Sequence, residues 1–388
     1  MSPRTRTRTG LAVAIALTLG LTAGPLAAPA LAAGPDPVLR TPASAPGARA
    51  DGLNVPALEA AIAGLPDREA TAALIRVGGD ATWCGTAGVR DVRTGAPALT
   101  NARFRAGSVT KVVTASLVVQ LAAEGRIDLD GTVQSYLPGL LTDDFEPVTV
   151  RQLLTFTSGL QPGISFGNTV EDSLRYRYTT LTPETVVASA VAKGPAHDPG
   201  AEQHYSNIHY TVLGMLVEKV TGDSYAHQAE ARIFKPLGMR HTSFPEGADP
   251  RIHGPHNRGY EEVEGRLIDV TEWNMSDRWA AGDLISTTAD LERLVVALFG
   301  GRVVPERYLD QMLTVPDLPG AAMGMGLTRY EVNGTEIWGK TGARPGYHTV
   351  VAATRDLSRT LVYSVNATDA KRKGAELVER FAIPAFTD

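Results

Sequence analysis

Cysteine is nearly absent from this chain: Cys84 is the only one in 388 residues. An internal disulfide is therefore impossible, and stability must come from packing. Cys84 sits in the strand-like run ATWCGTAGVRD with no histidine nearby, so it reads as a small buried hydrophobe and not as a reactive thiol. A basic surplus is absent too. Lys and Arg number 37 against 42 Asp and Glu, for a net charge of −5, and no basic stripe offers a footing for nucleic acid. The eight histidines are scattered. His253 and His256 share a loop but bring no carboxylate or thiolate set with them, so neither a metal nor another cofactor is expected. Beyond residue 32, no segment is apolar for long enough to span a bilayer.

The first residues, MSPRTRTRTGLAVAIALTLGLTAGPLAAPALAA, have the three parts of a secretory signal. Arg4, Arg6 and Arg8 form a basic start, Leu11 to Leu21 an apolar run, and Ala30-Leu31-Ala32 a small-residue cleavage site. Gly24, Pro25 and Pro29 break the run, which argues against a membrane anchor, and no cysteine stands directly after the cleavage site to carry a lipid. The expectation is a secreted protein cleaved near Ala32. Removing residues 1–32 would take three arginines and no acid, moving the charge from −5 to −8. Residues 33–50, rich in Pro, Ala and Gly, read as a flexible lead-in.

What remains is long for one core, so two lobes are expected. A helix around 55–65 precedes two strand-like runs, TAALIRVGG and ATWCGTAGVRDVRTG. Residues from about 126 to 275 look mainly helical. The end of the chain gives MGLTRYEV, TEIWGKTG, YHTVVAATRD and RTLVYSVN as strands and DAKRKGAELVERFA as a last helix. Strands at both ends with helices between predict a mixed α/β fold, an antiparallel sheet flanked by helices and built from N- and C-terminal segments. The domain is expected to cover 51–385, with an α/β lobe of about 51–125 and 280–388 and an inserted helical lobe of about 126–279. No internal repeat is visible.

Three short stretches carry chemistry. In FRAGSVTKVVTASLVVQLAAEG the spacing predicts a helix from about Ser108 to Gly125, apolar almost all round and hence internal. A serine opens it and Lys111 follows one turn later. Ser108 could be a mere N-cap. Yet burial and the positive end of the helix both lower a lysine's pKa, as a base requires. In HDPGAEQHYSNIHYTVLGMLVEKVTG, a Pro199-Gly200 turn leads through Tyr205-Ser206-Asn207 into a second helix, which Asn207 could cap. Lys340-Thr341-Gly342 ends the strand TEIWGKTG, where a solvated lysine would blunt a sheet edge. Taken singly, each has that plain structural reading. Taken together, they stand in the order Ser-x-x-Lys, Tyr-x-Asn, Lys-Thr-Gly. The corresponding set S-x-x-K, S-D-N, K-T-G marks class A β-lactamases and penicillin-binding proteins.

From residue 55 to 385 the sequence resembles the serine β-lactamase-related and D-alanyl-D-alanine carboxypeptidase group, of the class C type that carries Tyr-x-Asn. FRAGSVTK, VTVRQLLTFTSGL, YSNIHYTVLGMLVEKVTG, IFKPLGM and AAGDLISTTADL carry the likeness, which is greatest to soluble, exported D-Ala-D-Ala carboxypeptidases. The resemblance implies that Ser108 attacks a carbonyl to form an acyl-enzyme, with Lys111 and Tyr205 handling its proton. Lys111 and Lys340 would lower the pKa of Tyr205. Asn207 would bond the substrate amide and orient Lys111. Lys340 and Thr341 would face a substrate carboxylate, and Gly342 would let the chain approach closely. The N–H groups of Ser108 and Ala343 would form the oxyanion hole.

The sequence departs from the pattern at Ala343, where relatives often carry Ser or Thr, and at Lys340, where the nearest carboxypeptidases tend to have histidine. Phe156 replaces a common histidine, a change read as one of packing. Arg329 and Arg344 are candidates for a substrate carboxylate, although each reads first as a surface charge. Trp279 could wall the pocket or belong to the core.

The expected activity is removal of terminal D-alanine from peptidoglycan stem peptides by a monomer without a membrane anchor. The alternatives are class C-like β-lactam hydrolysis and esterase or D-amino-acid amidase action. A non-catalytic penicillin-recognition module fits less well, since both Ser108 and Lys111 are kept. Gly163-Ile164-Ser165-Phe166-Gly167 matches the G-x-S-x-G nucleophile elbow, but no strand precedes it, as that motif requires.

Overall fold

Nearly every position of the run ATAALIRVGG is buried, as a strand covered on both faces requires. In the computed structural model, which describes residues 52–166 and 169–387, this run is β1 (Ala70–Gly79). It lies in a seven-stranded antiparallel sheet. The others are β2 (Trp83–Asp91), β3 (Ala96–Pro97), β4 (Thr328–Val332), β5 (Thr335–Arg344), β6 (Tyr347–Ala353) and β7 (Arg359–Ala367). Their order is β3-β2-β1-β7-β6-β5-β4. The N-terminal and C-terminal strands meet where Ile75 faces Tyr363. The expected leader 1–32 and lead-in 33–50 lie outside the described residues.

Side chains alternate across the sheet. Leu361, Tyr363 and Val365 of β7 join Leu58 and Ile62 of α1 (Val55–Ile62) and Leu377 and Phe381 of the last α-helix (Gly374–Phe381). Val362 of β7 and Val351 and Ala353 of β6 face the larger core. There they meet α2 (Thr110–Ala123) and the helix Thr288–Phe299. The latter is amphipathic, with Leu291, Leu294, Val295 and Leu298 buried, and starts where the Thr287 side chain accepts from Asp290 N. The first and last α-helices are shorter than the sequence pattern predicts.

The stretch read as mainly helical does contain Val133–Tyr136, Val150–Leu154, Pro183–Val191 and Ile208–Thr221. It also contains a ribbon that the reading missed, Tyr260–Val263 paired with Arg266–Asp269. Its turn residues, Glu264 and Gly265, both have positive φ, as a two-residue hairpin turn demands. Cys84 is half-buried, not buried as expected, with Arg76 Nη1 3.5 Å from its Sγ. Among the described residues, no helix is long and apolar enough to cross a membrane.

The ribbon holds one buried acid, Glu261, 2% exposed, which accepts a hydrogen bond from Gly346 N at 2.8 Å in the turn after β5. Burial raises its pKa to about 8; that bond and Arg372 oppose the rise, and Asp369 adds to it. The folded state therefore keeps a proton at neutral pH that the unfolded chain releases. Stability from this group is complete below the ordinary carboxylate range and is lost as pH climbs through about 8. The unfolding free energy of the native protein, from urea titrations, should fall across that window by on the order of 1 kcal/mol per pH unit. In Glu261→Gln that component should vanish; an equal slope in both proteins would show that the proton sits elsewhere.

Candidate active site

A 3-10 turn, Gly107–Val109, precedes α2. Helix α2 is buried on nearly all sides, as its apolar circumference predicts, and Lys111 has no exposed surface. The N-cap of α2 is Val109, so Ser108 is not spent as a cap. Its Oγ lies 3.1 Å from Lys111 Nζ and accepts from Tyr205 Oη at 2.8 Å. Tyr205-Ser206-Asn207 enters α3 (Ile208–Thr221), which ends on the left-handed Gly222. Asn207 holds the N-cap position, but its side chain makes no capping bond; its Oδ1 accepts from Lys111 Nζ at 2.7 Å. Both residues that could have been simple caps turn toward the lysine.

The partners of Lys111 define its state. Nζ lies 2.7 Å from Asn207 Oδ1, 2.6 Å from the Ala281 carbonyl and 3.1 Å from Ser108 Oγ. Its pKa is driven well below normal, first by burial and then by the positive charges of Lys340, Arg278 and Arg344. A neutral amine has two N–H groups and one lone pair. With Asn207 Oδ1 and the Ala281 carbonyl accepting two N–H groups, a neutral amine would keep its lone pair for the Ser108 hydroxyl.

The neighbouring cations do not turn Tyr205 into a base. Crowding around its phenol raises the pKa to about 12, while the bond to Ser108 and the charge of Arg278 pull downward. The residue is 38% exposed, so solvent screens part of that crowding. The sequence-based expectation of a lowered pKa is corrected: Tyr205 stays protonated and donates to Ser108.

Lys340 is likewise not a solvated edge lysine. Strand β5 is the penultimate strand, and Lys340 is 6% exposed, with burial lowering its pKa to about 8. Its Nζ donates to Thr341 O at 3.0 Å and stands 4.9 Å from the Tyr205 ring centroid. Pairing with β4 stops at Thr328–Gly339, while pairing with β6 runs on to Arg344. The outer edge of residues 340–344 is thereby released to meet the 107–109 turn. The approach is backbone to backbone. A Cβ on Gly342 would stand 2.0 Å from Ala106 O and 2.9 Å from Ser108 N, and one on Gly107 would stand 2.7 Å from Ala343 N. Gly342 is buried, Thr341 half-buried and Ala343 exposed.

The charged surroundings escaped the sequence reading. Arg344, 8% exposed, is no surface charge: its Nη2 pairs with Asp277 at 2.8 Å, and Arg278 Nε approaches the same carboxylate at 3.5 Å. Arg329 is exposed. Trp279, at φ +34°, is partly buried in the core, 5.4 Å from the Tyr225 ring. Asp277 and Arg278 carry no motif, and Ala281 lies within AAGDL, where no role was assigned to it. Among the described residues, no group of His, Cys, Asp and Glu could hold a metal ion.

Comparison with known proteins identifies the family. The family model for β-lactamase matches residues 58–382. A D-stereospecific amidohydrolase from Streptomyces sp. is 34% identical in sequence and superposes with a TM-score of 0.72, over 84% of this chain and 97% of that one. The D-amino acid amidase from Ochrobactrum anthropi SV3, solved with D-phenylalanine, is 26% identical with a TM-score of 0.70, over 85% and 98%. Protein flp from Staphylococcus aureus (strain MRSA252) is 31% identical over 213 residues, 54% of this chain and 41% of its own. The chain spans about half the length of the curated relatives it matches. With a mixed α/β fold around one antiparallel sheet, the chain belongs to the β-lactamase family of serine penicillin-recognising hydrolases.

Proposed function

We propose that this protein is a secreted serine hydrolase that removes the terminal D-alanine from peptidoglycan stem peptides through a Ser108 acyl-enzyme. We further take residues 1–32 as its export signal and about 126–279 as an inserted helical lobe. One observation carries the chemistry: Lys111 Nζ stands 3.1 Å from Ser108 Oγ while Asn207 Oδ1 and Ala281 O occupy its other two partners' places. Ser108 Oγ attacks the carbonyl carbon as its proton passes to Lys111. The N–H groups of Ser108 and Ala343 receive the oxyanion. Tyr205, protonated, gives its proton to the leaving nitrogen and recovers one from Lys111. Water then repeats the cycle on the ester, with Lys111 again as base. Asn207 orients Lys111 and bonds the substrate amide, Lys340 and Thr341 face the leaving carboxylate, and Gly342 lets the strand approach the Ser108 turn closely.

Charge supports a substrate that ends in a carboxylate. Lys340, Arg278 and Arg344 surround Lys111, and the nearby acid Asp277 is already shared by two arginines. A free ammonium would meet like charge there. A second reading, D-stereospecific amidase, is favoured by the 34% identity to the Streptomyces enzyme; it shares the acylation step and differs in the leaving group. β-Lactam hydrolysis differs in how fast water frees the ester.

Intact-mass spectrometry with benzylpenicillin should show an adduct on Ser108, long-lived in a carboxypeptidase and fleeting in a β-lactamase. Ser108→Ala should give no adduct and keep its urea midpoint; an unaltered adduct would sink the assignment. Turnover of an N-acylated D-Ala-D-Ala peptide should exceed that of a D-amino-acid amide with a free amine, and the reverse order would select the amidase. Gly342→Ala should slow acylation by about 100-fold or more by moving an oxyanion donor, because its methyl would strike the Ala106 carbonyl. Acylation at the native rate would remove Ala343 N–H from the mechanism.

A further inference from the structure

Phe156 has no part in the roles above, yet its backbone is held at φ +62°, a left-handed conformation that bulky residues rarely adopt. The turn is pinned from both sides. Phe156 N donates to Leu153 O, Thr157 N donates to Gln152 O at 2.8 Å, and the Phe156 carbonyl accepts from His204 N at 2.8 Å. His204 is the residue immediately before Tyr205. Thus pinned, the side chain points inward and is 1% exposed. Its ring centroid lies 4.9 Å from that of Tyr205, 5.1 Å from that of Tyr210 and 5.6 Å from that of His209. Both tyrosine rings flank the lysine: Lys111 Nζ is 5.0 Å from the Tyr205 centroid and 5.6 Å from the Tyr210 centroid. Its chain neighbours Thr155 and Thr157 line a surface cleft of about 310 Å³. The ring of Phe156 therefore packs against both aromatic walls of the Lys111 amine, and its two chain neighbours reach a solvent cleft.

We propose that Phe156 is a positioning residue for acylation, a plug whose ring sets Tyr205 against Ser108 and keeps water from the Lys111 amine. This rests on the reading of Ser108 as nucleophile and Lys111 as base. The groups acting on Lys111 from the packed elements are Lys340, Arg278 and Arg344. His209 also faces Phe156; it is buried, with Nε2 unpartnered and its pKa lowered to about 4. The Tyr210 hydroxyl is tied to Leu154 O at 2.9 Å. Loss of the ring should admit water beside Nζ, return the lysine pKa toward its usual range and misplace the Tyr205 hydroxyl.

The test is the rate of Ser108 acylation by a chromogenic β-lactam and by p-nitrophenyl acetate, followed against pH in the full chain. Phe156→Ala should be slowed by about tenfold or more, and its acid limb should move to higher pH, because the amine must be neutral to accept the serine proton. Phe156→Gly relieves the left-handed backbone while removing the ring, so it should show the same displaced limb even if Phe156→Ala folds poorly. Phe156→Tyr, which keeps an aromatic ring, should restore the native limb. A lower rate with an unmoved limb in the Gly variant would mean plain loss of packing and overturn the proposal, as would a native rate. Acylation absent from the unmodified protein, or located on a residue other than Ser108, would fell the underlying reading and the proposal with it.

Discussion

A lysine amine with no exposed surface is the constraint around which this site is organised. Removing an ammonium from water is expensive unless the group gives up its proton. Here that cost is aggravated, because the charges acting on Lys111 are the positive ones of Lys340, Arg278 and Arg344. Asp277, beside two of those cations, is engaged by both arginines. Holding the group neutral requires helix α2 to be covered on all sides, which accounts for its unusual apolar circumference. It also requires two good acceptors, one from the start of α3 and one from the backbone at Ala281. These come from segments far apart in sequence, so the lysine ties α2, α3 and the 279–284 loop together.

The sheet supplies the second boundary. Strands β1 and β7, from opposite ends of the chain, pair in the middle, and β5 is held from within by β6. Because β4 lets go at Gly339, the end of β5 is free on its outer edge yet fixed in position by its inner neighbour. Two glycines then bring it against the turn that carries Ser108, at distances no side chain would permit. Gly326 makes a comparable approach at φ +79°, where a Cβ would meet the Lys111 carbonyl at 2.9 Å. The serine is thus located by backbone contact and the lysine by burial, two restraints of different physical kind.

This division explains what could be read from the sequence. Apolar periodicity exposed α2 and the strands because one residue's burial repeats locally. Ser108, Lys111, Tyr205, Asn207, Lys340 and Gly342 were visible because each sits in a three- or four-residue stretch with its own local signature. The environment of those residues was not visible. That Lys340 is buried depends on where β4 stops. That Arg344 is paired depends on Asp277, 67 positions away. The rise in the Tyr205 pKa comes from crowding by segments that no local pattern connects to it. Phe156 shows the same blindness at a single residue: its left-handed φ leaves no mark in TFTSGL, and its partners are reached only after folding. The ribbon at 260–269 was a different failure, since Glu264-Gly265 is a turn signal that the surrounding helical expectation masked.

The separated pKa values argue for a division of labour under the proposed roles. A resting tyrosinate would compete with the lysine for the serine proton, and two bases beside one hydroxyl would leave the leaving group without an acid. With Tyr205 shifted upward and Lys111 downward, one group begins as donor and the other as acceptor, both within hydrogen-bond reach of the same Oγ. Environments that push two titratable groups apart in this way assign acid and base. The surplus of positive charge that depresses Lys111 would also attract a carboxylate on the leaving side. A single electrostatic arrangement can therefore supply both the neutral base and the preference for an acidic substrate end, and weakening one should weaken the other.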